Sequence, residues 1–165
     1  MPFKEIYLNY RCPRYEQMPS IQLYKDQVVS VLEEYIAPFI REDEKLITSS
    51  MINNYVKHKI IKPPMNKKYD REHIAFLYII CLLKRFMPIE QIKEGMQFVI
   101  SRSSMRVAYD MFCDEFENAL QKTFGGNIIH MDKKTGMEID VVRAAASGLA
   151  NFVHANVLIS QIKEN

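Results

Sequence analysis

The chain has 165 residues, of which 48% are hydrophobic and 25% charged, a composition typical of a globular protein and not of a disordered or repetitive chain. Its formal net charge of +2 is too small to indicate nucleic-acid binding by itself. The first ten residues lack an apolar signal core, and the longest apolar run, residues 74–83, is too short to cross a bilayer. We therefore expect a cytoplasmic protein with no membrane partner.

The three cysteines, Cys12, Cys81 and Cys113, are widely spaced and form no C-x-x-C pair. Two of them lie within apolar, helix-forming segments. The pattern favours reduced thiols that pack as small hydrophobic side chains, which agrees with a cytoplasmic location.

Few glycines and long amphipathic segments predict a mainly α protein. Residues 1–19 contain three prolines and several tyrosines, and we expect an irregular arm. That arm would cap the chain's own core or, as the alternative, bind a partner. A helix over residues 21–37 follows, capped by Ser20, and residues 41–45 form a charged linker on the surface.

The next segment, residues 48–59, predicts a short helix with an unusually polar free face. The hydroxyl of Thr48 is placed to cap it, and Met51, Tyr55 and Val56 recur at helical spacing as the inward face. The outward face would present two asparagines and a run of basic residues. Asn can pair with an adenine edge, and Lys can reach guanine or phosphate, so this face suits a major groove.

Residues 60–69 follow as a basic turn. Pro63 and Pro64 end the helix and extend the chain, which predicts a small hairpin, or wing, around residues 64–66. Residues 55–71 contain six Lys or Arg and one Asp, a local charge of +5, so the rest of the chain carries −3. Such clustering is typical of a phosphate-binding face, although surface lysines can also serve only solubility.

Four further helices complete the prediction. A helix over residues 71–86, capped by Asp70, is apolar on more than one side and should be the central core element. Pro88 fits the first position of a helix over residues 88–98. A helix over residues 101–123 ends at Gly125 and Gly126, residues 127–136 form a loop, and a last helix spans residues 138–163. Small residues at 144–148 suit close packing, within the chain or between subunits.

The order of these segments resembles the DNA-binding domain of MerR-type regulators. The wing of that family ends in a basic residue and Tyr, and its next helices follow an apolar pattern; the matching positions here are Lys68, Tyr69, Ile74, Leu77, Ile80, Leu83, Lys84 and residues 89–92. Two features differ. The first helix is long and is separated from the recognition helix, residues 48–59, by the charged residues 41–45, whereas in that family it is short and close. The wing contains Pro63 and Pro64 and has no Arg-Gly tip. Residues 23–28 and 51–57 are also similar to the domain of unknown function 1836 family, over about residues 18–125.

The MerR resemblance implies a mainly α fold, a MerR-like winged helix-turn-helix with a small β wing and a C-terminal helical extension. The implied divisions are an arm (1–19), the winged domain (20–98) and a dimerisation or effector region (99–165). The implied function is transcription regulation by a homodimer that binds duplex DNA. The expected DNA-binding residues are Ser49, Ser50, Asn53, Asn54, Lys57, His58, Lys59, Lys62, Lys67, Lys68 and Tyr69.

No residue pattern supports an enzyme. The four histidines lack partners at metal-ligand spacing, apart from His130 near Asp132, and the carboxylates of residues 114–117 are expected on a solvated helix surface. We therefore predict no metal, no cofactor and no catalytic residue. The alternative function is a helical protein-interaction module. A small apolar effector could bind between the last two helices; that pocket would be lined by Tyr109, Phe112, Phe116 and Phe152, which otherwise form plain core.

Overall fold

A computed structural model describes residues 2–41, 43–131 and 134–164 of the chain. Within these residues the chain forms seven α-helices and one two-stranded sheet, which confirms the mainly α prediction. The helices are α1 (Pro2–Asn9), α2 (Lys25–Ile36), α3 (Ser49–Lys57), α4 (Arg71–Leu83), α5 (Ile89–Ser101), α6 (Met105–Phe124) and α7 (Met137–Glu164); the strands are β1 (Leu23–Tyr24) and β2 (Lys68–Tyr69). No helix of the described segments is both long and apolar enough to cross a membrane.

The chain divides into two compact units. One consists of Pro13–Tyr109, and the other combines Met1–Cys12 with Asp110–Asn165. The division between them falls within α6. These units group the chain differently from the expected divisions at residues 20 and 99, because the first twelve residues belong with the C-terminal helices.

The first segment is helical, where an irregular arm was expected. The ring of Tyr7 in α1 stacks on Phe124 with 5.0 Å between the ring centroids, and the side-chain amide of Gln121 donates to the carbonyl of Leu8 at 2.6 Å. Partners on α6 therefore hold Pro2–Asn9 in a helix, and this segment packs on the chain's own core. After it, Tyr15–Gln17 forms one turn of 3-10 helix.

The helix expected over residues 21–37 begins later. Leu23 and Tyr24 form β1, which pairs antiparallel with β2, so that Leu23 lies opposite Tyr69. Because Leu23 and Tyr24 pair with β2, they are not part of the helix, and Ser20 does not cap it. The backbone N–H of Tyr24 instead donates to the side chain of Gln27 at 2.9 Å, at the start of α2. The helix then buries Val28, Leu32 and Ile36 completely.

The apolar helix α4 is the core of the unit formed by Pro13–Tyr109, as expected. Ten of its thirteen residues are buried, and its main helical partner is α2. Asp70 caps it, since its Oδ1 accepts from the backbone N–H of His73 at 3.1 Å. The ring of Tyr78, fully buried, meets Tyr109 edge-on at 5.7 Å. The linker after α2 is anchored, because the guanidinium of Arg85 binds Glu44 at 3.0 Å; Glu42 lies outside the described residues.

In the other unit, α6 and α7 run in the same direction. Glu115 pairs with Arg143 at 3.0 Å near the start of the contact, and Phe124 meets His154 at 4.9 Å further along both helices. The segment between them must therefore run back along α6. Asn118 holds it there, because its Oδ1 accepts from the backbone N–H of His130 at 2.9 Å. Helix α7 packs a stripe on its own chain that includes Ala146 and Ala150, both fully buried.

Candidate nucleic-acid interface

Helix α3 begins as the sequence predicts. The hydroxyl oxygen of Thr48 accepts from the backbone N–H of Met51 at 3.1 Å. Its inward face is centred on Ile52, which is fully buried and which the sequence pattern had left out. Met51, Tyr55 and Val56 flank it and are half-buried. The helix is thus rotated slightly from its expected orientation about its own axis.

The opposite face of α3 is a polar stripe. Ser50, Asn53, Asn54 and Lys57 are all exposed and recur at three- and four-residue spacing, so they lie on one side of the helix. His58 and Lys59 extend this exposed surface beyond the last turn, whereas Ser49 is half-buried. Seven of the expected DNA-binding residues therefore come from one short helix and its end, and six of the seven are exposed.

A lysine directly after α4 supports α3 from the buried side. The ammonium of Lys84 donates to the carbonyl of Leu46 and to the hydroxyl of Tyr55, the latter at 3.3 Å. Burial lowers the pKa of Lys84. Burial also raises the pKa of the Tyr55 hydroxyl to about 12, with the nearby thiol of Cys81 adding to the shift. The helix is thus fixed to the core through polar groups as well as through Ile52.

Helix α3 ends in an unusual residue. The N–H of Ile60 donates to Tyr55 at 2.8 Å and the N–H of Lys59 donates to Val56 at 3.0 Å, the two hydrogen bonds of a Schellman motif. Lys59 occupies the left-handed position with φ of 56°. The equivalent position after α6 is Gly125, the residue type that adopts this conformation without strain. A lysine in this conformation makes the folded chain less stable than glycine would.

The expected hairpin is present at Met65–Lys68, where N–H and carbonyl groups of these two residues exchange hydrogen bonds at 3.1 and 2.9 Å. Its two central residues, Asn66 and Lys67, have φ of 51° and 62°, as in a type I′ turn. The second strand of the hairpin pairs with β1, which comes before α2. Another lysine therefore occupies a position that favours glycine.

The base of the hairpin is tied to α4. The Nε2–H of the buried His73 donates to the carbonyl of Lys62 at 3.0 Å. The ammonium of Lys62 lies 2.8 Å from carboxylate oxygens of both Asp70 and Glu72. Burial raises the pKa of Asp70, but the hydrogen bonds from Lys62 and from His73 N–H outweigh it, so the pKa lies below its ordinary value.

A groove of about 450 Å³ joins α3 to the hairpin. Asn53 lines it from the helix, and Pro64 and Lys67 line it from the hairpin. Two residues that the sequence analysis missed also line it: Lys25 donates to the Oδ1 of Asn53 at 2.8 Å, and Asp26 accepts from the hydroxyl of Ser49 at 3.0 Å. Their position depends on the β1–β2 pairing, which local sequence patterns do not reveal.

The expected basic residues differ in how accessible their charges are. Lys57, Lys59 and Lys67 are exposed and have no ion-pair partner among the described residues. Lys68 is half-buried, 5.3 Å from the ring of Tyr24, and Lys62 is neutralised by its carboxylates. The ring of Tyr69 is only 4% exposed and meets His73 edge-on, so it belongs mainly to the core.

The carboxylates, histidine and aromatic rings singled out in the C-terminal part of the sequence are arranged differently from expectation. Glu117 is buried, not solvated: its carboxylate lies 2.5 Å from His130 and accepts from the backbone N–H of Cys12 at 2.8 Å. Asp132, the expected neighbour of His130, lies outside the described residues. Among the described residues no group of three or more potential ligands could hold a metal. Of the rings expected around an effector, Phe112 and Phe116 stack on each other and are buried.

A protein-family model described as "Domain of unknown function (DUF1836)" matches residues 13–112, which covers α2 to α5, the hairpin and the start of α6. No curated protein and no solved structure matches the chain. Because the match covers more than half of the sequence, the chain belongs to the DUF1836 family.

Proposed function

We propose that this protein is a transcriptional regulator that binds duplex DNA as a homodimer through a MerR-like winged helix-turn-helix. The observation that carries the proposal is the groove at which Asn53 of α3 and Lys67 of the hairpin meet. The outward stripe of α3 would enter the major groove, and the hairpin would lie along the adjacent phosphates. In a dimer, two copies of α3 would read successive major grooves about one helical turn apart.

Each part of this surface has its own task. Asn53, Asn54 and Lys57 would read base edges, and Ser49 and Ser50 would donate to the DNA backbone. Lys67 and Lys68, with His58 and Lys59 at the end of α3, would hold phosphates. Lys62 would act mainly by fixing the hairpin, since Asp70 and Glu72 already take its charge.

The positive φ angles of Lys59 and Lys67 support the same proposal. Glycine at either position would relieve backbone strain of about 1 kcal/mol. Strained residues of this kind are found preferentially at functional sites. Two lysines held in this conformation suggest that their charge matters more than the stability that glycine would add.

The test is fluorescence anisotropy with a labelled duplex from the region upstream of the protein's own gene, at two salt concentrations. Lys67→Ala combined with Lys68→Ala should weaken binding to every duplex and flatten the salt dependence by ~1–2 units of slope. The matched control combines Lys45→Ala with Lys122→Ala, which removes the same charge from exposed positions elsewhere. Indifference of the unaltered protein to duplex DNA at low salt would reject the proposal.

The second candidate is a non-enzymatic helical protein-interaction module. It is favoured by the apolar residues at the end of α7, where Leu158, Ile159 and Ile162 are 49%, 51% and 74% exposed. The same surface would serve a homodimer. Sedimentation tests the dimer: the unaltered protein should sediment as a dimer, and Ile159→Glu with Ile162→Glu should sediment as a monomer. The DNA titration described above separates the two candidates, because an interaction module should be indifferent to duplex DNA at low salt.

A further inference from the structure

We infer that a second groove, which shares no lining residue with the first, binds a small organic anion with an apolar body. The groove has a volume of about 810 Å³, and its lining comes from α3, α4, α5, the start of α6 and the segment before the hairpin. Binding sites for small molecules usually measure ~300–1,000 Å³ and combine an apolar lining with a few polar groups. All of its lining residues belong to the unit formed by Pro13–Tyr109.

The lining of this groove separates into an apolar floor and a basic rim. Val56, Phe76 and Ile100 contribute half-buried apolar side chains to the floor, and Ile60 adds a buried one. This floor would receive an aromatic or aliphatic body. Its surface stays accessible to solvent, and covering it with an apolar ligand would be favourable.

The rim supplies the charge. Lys57 and Lys59 line the groove and are exposed, and they form no ion pair among the described residues. The third lysine of the rim, Lys62, already binds Asp70 and Glu72. The rim thus carries two positive charges without a counter-ion next to an apolar floor. A carboxylate, sulfonate or phosphate on an apolar body satisfies both features.

The same two lysines belong to the surface proposed for DNA. An anion held by Lys57 and Lys59 would compete with DNA for them, with a base edge at Lys57 and with a phosphate at Lys59. The ligand would therefore weaken DNA binding, and DNA would weaken ligand binding by the same factor. This coupling rests on the proposed function, whereas the ligand site itself does not. The first test therefore contains no DNA.

Two fluorescent probes form the test. Anilinonaphthalene sulfonate (ANS) carries the anion, and phenylnaphthylamine has the same ring system without it. ANS should bind more tightly than the neutral probe. Lys57→Gln with Lys59→Gln should weaken ANS about fivefold and leave the neutral probe unchanged, since each exposed charge contributes modestly. Lys45→Gln with Lys122→Gln is the charge-matched control. If Lys57→Gln with Lys59→Gln weakened the binding of both probes equally, or of neither probe, the assignment of the rim would be overturned.

Substitution within the groove tests its location. Gln97 is exposed on α5 and lines the groove, and Gln91 is exposed on the same helix but does not line it. Gln97→Trp should fill the groove and weaken both probes at least tenfold, whereas Gln91→Trp should leave them unchanged. Circular dichroism melts confirm that both variants fold, because ANS also binds loosely packed proteins. Unchanged binding to a folded Gln97→Trp would place the probes elsewhere and reject the site.

The coupling is tested last. If the protein binds duplex DNA, saturating ANS should raise its Kd for DNA severalfold, and Gln97→Trp should remove this effect. An unchanged Kd with ANS bound would reject the competition. Absence of DNA binding would reject the proposed function alone, and the probe titrations would still decide whether the groove is a ligand site.

Discussion

The ammonium of Lys25 lies 2.8 Å from the Oδ1 of Asn53, so the first residue of α2 holds a side chain on the outward stripe of α3. One lone pair of that oxygen is thereby occupied. Asn54, the next residue on the stripe, has no hydrogen-bond partner among the described side chains. The two asparagines are therefore not equivalent: Asn53 is held in one orientation, and Asn54 can turn both its donor and its acceptor towards a base.

This difference predicts unequal effects on DNA recognition. Asn54→Ala should cost ~1–3 kcal/mol on the preferred duplex and little on random duplex, because a bidentate contact to adenine is lost. Asn53→Ala should cost less on the preferred duplex, since Lys25 remains there to contact DNA. Anisotropy titrations against both duplexes measure these effects. Equal losses on the two duplexes for Asn54→Ala would remove that residue from the base-reading set.

The hairpin predicts opposite effects on stability and on binding. Lys67 has φ of 62°, and Lys67→Gly should raise the free energy of unfolding by about 0.5–1 kcal/mol. The same change should weaken DNA binding, because it removes a phosphate contact. Lys67→Ala is the matched variant: it loses the charge but keeps the strain. It should bind DNA as weakly as Lys67→Gly without gaining stability, as measured by urea unfolding.

The ion pairs at the hairpin base predict a dependence of stability on acid. The pKa of Asp70 is below its ordinary value in the folded chain. Its contribution to stability is therefore complete above its unfolded pKa of about 3.9, and it is lost as the pH falls through the lower, folded pKa. Asp70→Asn keeps the helix cap but loses the ionic attraction to Lys62, and should cost about 0.5–1 kcal/mol at pH 7.

Urea unfolding at several pH values checks this. The difference in free energy of unfolding between the unaltered protein and Asp70→Asn should be constant near neutral pH and shrink below the ordinary pKa of an aspartate. A difference that stays the same down to the lowest pH at which both proteins fold would show that the ionised carboxylate is not what stabilises the hairpin base.

The cysteines should be inert in the folded protein. Cys12, Cys81 and Cys113 are 3%, 0% and 0% exposed, and burial raises the pKa of the Cys81 thiol to about 12 although Lys84 acts against it. Because the thiolate is the reactive form, a disulfide reagent such as DTNB should react slowly at pH 8. All three thiols should react at once after unfolding in guanidinium. A rapid reaction of any thiol in the folded protein would contradict this packing.

The parts of the fold that depend on local chemistry could be predicted from the sequence. Thr48 and Asp70 cap α3 and α4 as expected, and Gly125 ends α6, because each of these signals acts within one turn of helix. The apolar run of α4 also identified the core. The prolines before it predicted the hairpin, and the clustering of lysines predicted that its surface is basic.

Three of the errors involve partners that are distant in sequence. Leu23 and Tyr24 read as the start of a helix, but they pair with β2. The first segment was predicted to be irregular, but it is helical, and Tyr7 in this helix stacks on Phe124. Glu117 reads as a surface carboxylate, but it is buried beside His130. For the same reason Lys25 and the groove along Val56 and Phe76 could not be found, since the residues that form them come from separate elements.

The pairing of Leu23 with Tyr69 also bears on how the protein folds. The turn at Met65–Lys68 is local and can close within microseconds. Its pairing with β1 is non-local, because α2 and α3 lie between the two strands in sequence, and we expect it to form only after these helices have docked. That pairing should therefore form after the rate-limiting barrier. Weakening it would hasten unfolding far more than it would slow folding. The basic hairpin would then be among the first segments to detach from the native protein, while α4 and its partners persist.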